Sequence, residues 1–339
     1  MSHTYLEEDM DHLKFRNLVL AGAVVGLALA QAAPEAVAQA FPTRVVRITS
    51  MYPTGGTPDI TARVVADKLA RYWDKPVILE PRPGGNGLIA INAFKNMAAD
   101  GHELLLLGGG NLSMAPNVVK NLAYDPINDF VPVSLIFRAP FVLVVSSTGP
   151  YKSMQELIAA ARANPERISY GSLFVGSPQH LGGAMLAMLT DTKMLPIHFK
   201  EASMLNTSII NGDISFAAWT FGSVMSLVRS GRLKVLGVAA RSRMASEPEV
   251  PTILEAGGPA GYEVDSWTAF LAPRGTSPEL ARRISADIAR ALAEADVKER
   301  FRGFALDPAP TTPDEMTKII RAELARYADI VKRSGITVE

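Results

Sequence analysis

Val45-Val46-Arg47-Ile48-Thr49-Ser50-Met51-Tyr52-Pro53-Thr54-Gly55-Gly56-Thr57-Pro58-Asp59 is the stretch on which the fold turns. A β-branched run leads into a glycine pair, then a hydroxyl residue, then proline, then a segment of helical period. Proline with a hydroxyl just before it marks the first turn of a helix, with Thr57 expected as the N-cap. The same corner recurs about 120 residues later. There Ile168-Ser169-Tyr170 precedes Gly176-Ser177-Pro178-Gln179-His180. Corners of this kind expose backbone N–H groups at the positive end of a helix dipole, which favours an anion. Two of them in separate halves of one chain predict a cleft that holds a carboxylate or phosphate from both sides.

Around these corners the pattern alternates between strand and helix, which indicates α/β layers. The expected strands are 45–50, 77–80, 103–107, 131–137, 141–146, 168–171, 214–218, 235–239 and 267–271. The expected helices are 58–72, 88–98, 154–164, 178–189, 204–211, 224–230, 278–294 and 313–332. The last has Thr312 as cap, Pro313 as first residue, Glu315 completing a capping box and Gly335 beyond its end. The chain has 339 residues, 48% apolar and 20% charged, a composition of cores rather than disorder and a length for two domains.

The N-terminus reads as a secretory signal. Lys14 and Arg16 precede an uncharged apolar run over 18–30, too short to cross a bilayer, and Ala38-Gln39-Ala40 is a small-x-small cleavage site before Phe41. An uncleaved anchor is the competing reading. The acidic Glu7-Glu8-Asp9 ahead of the signal leaves Met1 and Met10 as alternative starts. The chain carries 34 basic and 34 acidic residues; residues 1–40 hold two and five of them, so the mature part has 32 against 29, or +3. That balance gives no footprint for nucleic acid or an anionic membrane surface. With no cysteine there is no disulfide, thiolate metal site or N-terminal lipid anchor. The expected location is the periplasm.

The chemistry-bearing candidates each have a plain structural alternative. Thr54, Gly55, Gly56, Thr57 and Asp59 form a ligand loop or an ordinary tight turn. Gly176, Ser177, Gln179 and His180 form the second, with His180 as a donor or as a structural histidine. Gly108-Gly109-Gly110-Asn111 lines the cleft or simply turns. Gly85-Asn86-Gly87-Leu88-Ile89-Ala90 has the outline of a dinucleotide fingerprint, but Arg82-Pro83 separates it from its strand, and it is not the first βα unit. No nucleophile elbow, paired-carboxylate signature or metal-ligand spacing is present. No catalytic residue, metal or cofactor is expected.

Several further motifs bring in a family. They are Glu80-Pro81-Arg82-Pro83-Gly84-Gly85-Asn86-Gly87, Asp100-Gly101, Tyr124-Asp125-Pro126 with Asp129-Phe130, Gly231-Arg232-Leu233, Pro251-Thr252 with Glu255-Ala256-Gly257, and Ser266-Trp267. With the two corners and in this order, residues 45–336 resemble the Bug-type solute receptors of tripartite tricarboxylate transporters. The resemblance implies an α/β, two-domain type II periplasmic-binding-protein fold that closes on its ligand like a flytrap. It implies chain crossings near 138–141 and 265–270, hence domain 1 over 41–138 plus 266–339 and domain 2 over 139–265. It also implies a ligand carboxylate held between the corners, with a small organic carboxylate and membrane transporter subunits as partners. A receptor feeding a sensor kinase, and a periplasmic enzyme such as a dehydrogenase or hydrolase, are the alternatives. The chain departs from the family where Trp219-Thr220 replace an acidic-amide pair, Phe199-Lys200-Glu201 replace Tyr-Lys-Gly, and Leu173-Phe174-Val175 replace a small polar stretch. Phe174 and Trp219, with Phe221, would give the cleft an aromatic face for a bulky ligand, unless two of the three are core residues.

Overall fold

The computed structural model describes residues 41–173, 175–334 and 336. Two compact units are distinguished, Met1–Thr43 and Arg44–Glu339. Of the first only residues 41–43 are described, so the signal-peptide reading lies outside the described residues, as do Phe174 and the expected helix stop Gly335.

The second unit opens with β1 (Val46–Ser50), α1 (Thr57–Trp73), β2 (Val77–Pro81), α2 (Leu88–Phe94) and β3 (Glu103–Gly108). A wide helical turn, Gly110–Met114, leads into the short α3 (Ala115–Val118). Then come β4 (Phe130–Ser146), α4 (Met154–Ala163), β5 (Ser169–Ser172), α5 (Pro178–Thr190), β6 (Leu195–His198), α6 (Ala202–Asn211), β7 (Phe216–Thr220), α7 (Phe221–Arg229) and β8 (Leu233–Val238). The chain closes with β9 (Asp265–Pro273), α8 (Pro278–Ala293), α9 (Ala295–Arg302), β10 (Asp307–Pro308) and α10 (Pro313–Ser334).

Strand order is β2-β1-β3-β9-β4-β7-β5-β6, with β8 and β10 also paired to β4. The ladder is two sheets sharing one long strand. Up to Pro140, β4 pairs antiparallel with β9; from Phe141 it pairs with β7 and β8. The return crossing is at Val264 and Asp265. Val264 N–H bonds the Ala239 carbonyl on the β8 side, whereas Asp265 pairs with Pro140. β1, β2 and β3 are parallel, and so are β5, β6 and β7. Each parallel set presents its carboxyl ends along one edge, where ligands of α/β sheets bind.

The core follows from these layers. β3, Glu-Leu-Leu-Leu-Leu-Gly, is buried along its whole length, as a strand covered on both faces must be. On one face Leu105, Leu107, Trp267, Ala269 and Leu271 meet Met316 and Ile320 of α10. Further along α10, Tyr327, Ile330 and Val331 join the second sheet's core with Leu181, Phe216 and Ala218. One helix therefore packs on both sheets.

Two expectations are corrected. Segments 131–137 and 141–146 are a single strand. Pro140 lies between them, and proline cannot donate to a ladder. It stands where β4 exchanges one partner sheet for the other, and Pro132 stands at a register shift, so neither removes a needed donor. Thr57 is not the N-cap of α1. Gly56 is, with no side-chain cap, and Thr57 and Pro58 are already helical. The Asp59 carboxylate instead reaches back to the Gly55 N–H at 3.0 Å. The capping box of α10 forms as expected: Glu315 Oε2 accepts from Thr312 N–H at 2.8 Å, and Thr312 Oγ1 accepts from Glu315 N–H at 3.3 Å.

Candidate functional site

Sheet register brings the two sets of carboxyl ends together. Gly108, the last residue of β3, pairs with Thr268, which pairs with Phe137. Thr220, the last residue of β7, pairs with Phe141. Phe137 and Phe141 are four residues apart on β4, about 13 Å of strand. The loops after β1, β2 and β3 and those after β5, β6 and β7 therefore flank one crossing point. The second corner touches the first half directly: a Cβ placed on Gly176 would lie 2.5 Å from Val118 Cγ2 of α3.

The first corner is closed by charge. Asp59 is 1% exposed and accepts from Gly55 N–H and, twice at 3.0 Å, from the Arg63 guanidinium. Burial works against its ionised form, but Arg63 and the Gly55 N–H outweigh it and hold the carboxyl below the usual range. Asp59 thus shapes the loop rather than offering a free acceptor. Thr54 and Gly55 stay exposed. Among the described residues the Thr57 and Asp59 N–H groups have no partner, and Pro58 between them has no N–H. Behind the loop, the Tyr52 hydroxyl bonds the Thr268 side chain, and the Trp267 indole lies against Gly109, where a Cβ would be 2.6 Å from Cε2. Asn111 Nδ2 donates to the Asn86 carbonyl at 2.6 Å, tying the loops after β2 and β3. Gly84, Gly85, Asn86 and Gly87 all have positive φ, so this glycine run is a tight turn at the end of β2.

The second corner is capped by its side chain. Ser177 Oγ accepts from His180 N–H at 3.2 Å, as the sequence predicts. Ser177 is fully buried, and Gln179 and His180 nearly so. His180 Nδ1 accepts from Gly176 N–H at 3.0 Å, which leaves the ring proton on Nε2. The Gln179 Oε1 is buried without a partner, and its backbone N–H is open among the described residues. Ser177→Ala is expected to lower unfolding free energy by about 1 kcal/mol through the lost cap, as read by urea denaturation.

His180 supplies a pH dependence. Burial, and secondly the nearby His198, push it down to about 4 from its ordinary 6.5. The folded protein therefore holds fewer protons on this ring than the unfolded chain between those values. The stability is complete above pH 6.5 and lost as pH falls through 4, by at most about 3 kcal/mol. His180→Gln keeps an acceptor for Gly176 and is expected to flatten that part of the stability–pH curve. An unchanged curve would contradict the assignment.

Of the three aromatic residues considered for the cleft, Trp219 and Phe221 are core residues, the structural alternative, and Phe174 lies outside the described residues. Trp219 is 6% exposed and packs with Val142, Leu205, Val224 and Phe221 on the α6–α7 side of the second sheet. Phe216 and Ala218, which alternate with it, face α5. A strand's period of two sets this outcome: Trp219 shares the face of the buried Ala217. Sequence reasoning missed the roles of Tyr52, Thr268 and His198. Their roles depend on pairings across β3 and β9 or between parallel strands, and only Trp267 had a local signal, in Ser266-Trp267. Among the described residues no group of three or more metal-ligating side chains occurs, and no helix is long and apolar enough to cross a membrane.

Two α/β lobes joined by two strand crossings, with both sets of carboxyl ends at the crossing, define a solute-binding protein of the two-domain type II periplasmic class. Within that class the chain belongs to the tripartite tricarboxylate transporter family of receptors, whose model it matches over residues 61–336. It is 30% identical to Protein BugT of Bordetella pertussis over 316 residues, 92% of this chain and 97% of that one. Among solved structures it resembles Rpa4515 of R. palustris with adipate, at 29% identity and TM-score 0.74, covering 88% of this chain and 99% of that one. It also resembles MatC of Rhodopseudomonas palustris with bound malate, at 26% identity and TM-score 0.70, covering 86% and 100%.

Proposed function

We propose that this chain is exported to the periplasm, captures a small aliphatic dicarboxylate between its two corners, and presents it to the membrane subunits of a transporter. The observation that carries this reading is the convergence of two corners with open N–H groups on one crossing of β4. The proposed domains are 41–138 plus 266–339 and 139–265, hinged at Pro140–Phe141 and Val264–Asp265. The proposed contacts are Thr54, Gly55, Gly56 and the Thr57 and Asp59 N–H groups on one side. Gly176, Ser177, Gln179 and His180 stand on the other. Charge is balanced by amides, hydroxyls and helix dipoles rather than by a dedicated arginine. Adipate and malate in two structures of similar fold support the ligand class, and the core position of Trp219 favours an aliphatic body over an aromatic one. The reading assigns the protein no catalytic step and no cofactor.

Calorimetric titration of the mature chain with adipate, malate and a homologous series of dicarboxylates tests it. Saturable one-to-one binding of at least one member is the expected result. Stabilisation should follow, about 2.7 kcal/mol at one hundred times the dissociation constant. No heat and no thermal shift with any carboxylate would end the proposal.

A further inference from the structure

α10 carries one buried stripe along a single unbroken helix. Met316, Ile320, Glu323, Tyr327 and Ile330 recur at the four-and-three spacing of one helix face, and all are buried. The stripe does not stay in one lobe. Met316 and Ile320 belong to the core of the first, with Leu105, Leu107 and Leu271. Tyr327 and Ile330, with Val331, belong to the core of the second, with Leu181 of α5 and Phe216 and Ala218 of β7. Glu323 stands between the two groups and bonds Arg138 at 2.9 Å, level with the crossing of β4. Arg138 in turn holds Asp265, where β9 crosses. Three segments therefore join the lobes at one level, two strands and a helix. The function proposed above uses only the strands as its hinge.

A helix is a stiffer link than a strand. α10 has 22 residues, about 33 Å, and no proline or glycine after Pro313. Sharp kinks arise at proline, at glycine or where a group enters the hydrogen-bond ladder, and α10 offers neither of the first two. Tyr327 and Ile330 lie about 6 and 10 Å along the axis beyond Glu323. If the second lobe turned about the strands alone, these side chains would have to leave one core or the helix would have to bend. Withdrawal exposes buried apolar surface, and bending breaks backbone hydrogen bonds. The segment after β3 strengthens the link. Met114 and Val118, from the first lobe, pack into the same second-lobe core. Asn117 Nδ2, between them, donates to the Leu324 carbonyl of α10 at 3.3 Å.

We propose that α10 is a strap, a third connection that holds the lobes in the arrangement seen here even without ligand, with Gly176 against Val118, and limits how far the cleft opens. The pivot is at Glu323, and Tyr327, Ile330 and Val331 are the lever. A strap that keeps the binding-competent arrangement populated raises the apparent affinity of the cleft, because a ligand then pays less to select it. This affinity effect rests on the receptor reading above; the restraint on lobe geometry does not.

The chain has no cysteine, so spin labels at Ile89→Cys and Met204→Cys report one distance across the mouth of the cleft. Both side chains are more than half exposed, in the first turns of α2 and α6, which follow the carboxyl ends of β2 and β6. Pulsed electron spin resonance on the ligand-free mature chain should give one narrow distance distribution. Ala322→Gly with Ala325→Gly, at exposed positions on either side of Glu323, softens the strap without touching a core. It should broaden the distribution, lengthen its mean and lower dicarboxylate affinity severalfold. Ile330→Ala should act in the same direction by releasing the lever; if it folds poorly, the glycine variant carries the test. The same exchange at the exposed Ala286 and Ala293 of α8 should change neither readout. An unchanged distribution in the strap variant overturns the proposal. So does an equal change in the α8 control, which would reduce the effect to a general loss of helix stability, or a wild-type distribution already as broad as the variant's. If no dicarboxylate binds, the receptor reading fails while the distances still decide the strap.

Discussion

Glu323→Ala is expected to lower unfolding free energy by about 3–5 kcal/mol, the cost of removing one member of a buried ionic network. Glu323, on α10, is 5% exposed and bonds three ways at the chain crossing. Its Oε1 meets Arg138 Nη2 at 2.9 Å, and its two oxygens take the Trp267 indole N–H at 3.1 and 2.9 Å. Arg138 also holds Asp265 at 2.8 Å. Arg138 and Asp265 flank Pro140, where β4 and β9 pass between the sheets. Removing the carboxylate strands the indole N–H and leaves Arg138 one partner. Burial, and then the Asp265 carboxylate, raise the Glu323 pKa, so a neutral replacement that keeps the hydrogen bonds is tolerated. Glu323→Gln should cost only about 1 kcal/mol. Equal losses in the two variants, measured by urea denaturation, would show that the negative charge matters there rather than the hydrogen bonds an amide can keep.

The same network explains which parts of the molecule were legible in the sequence. The corners were, because proline, glycine and hydroxyl spacing is local chemistry. So were β1, β3, α5, α8 and the capped start of α10, where period and caps agree. What escaped depends on register. β6 has Pro196 and four exposed residues, tolerable only at a sheet edge, and an edge is not visible in a run of four. Trp219 stood next to a loop in the sequence, and only the pairing of Val142 with Trp219 shows that it faces the α6–α7 core. Ser172 and His198 meet because β5 and β6 pair in parallel with those residues aligned. Their spacing of 26 residues carries no signal of its own. The crossing of β4 and β9 is the extreme case: Arg138 and Glu323 are 185 residues apart.

The second large effect is expected at Gly176. Its φ of +77° is strained for any side chain, at roughly 1–2 kcal/mol. A Cβ there would meet Val118 Cγ2 at 2.5 Å and Cβ at 2.9 Å, and a β-branched side chain in a short helix has little room to turn away. Overpacking of this kind costs a further 1–3 kcal/mol. Gly176→Ala is therefore expected to destabilise the protein by about 2–5 kcal/mol. The same shift pulls the Gly176 N–H off His180 Nδ1 and turns the corner away from α3, so dicarboxylate affinity should fall at least tenfold in calorimetry. Paired with Val118→Ala, the steric part should be relieved and the backbone part should remain, giving a favourable coupling of about 1–3 kcal/mol in a double-mutant cycle. Zero coupling would mean that Val118 does not set the position of the corner. Full recovery of both stability and affinity would mean that the left-handed backbone at Gly176 carries no cost of its own.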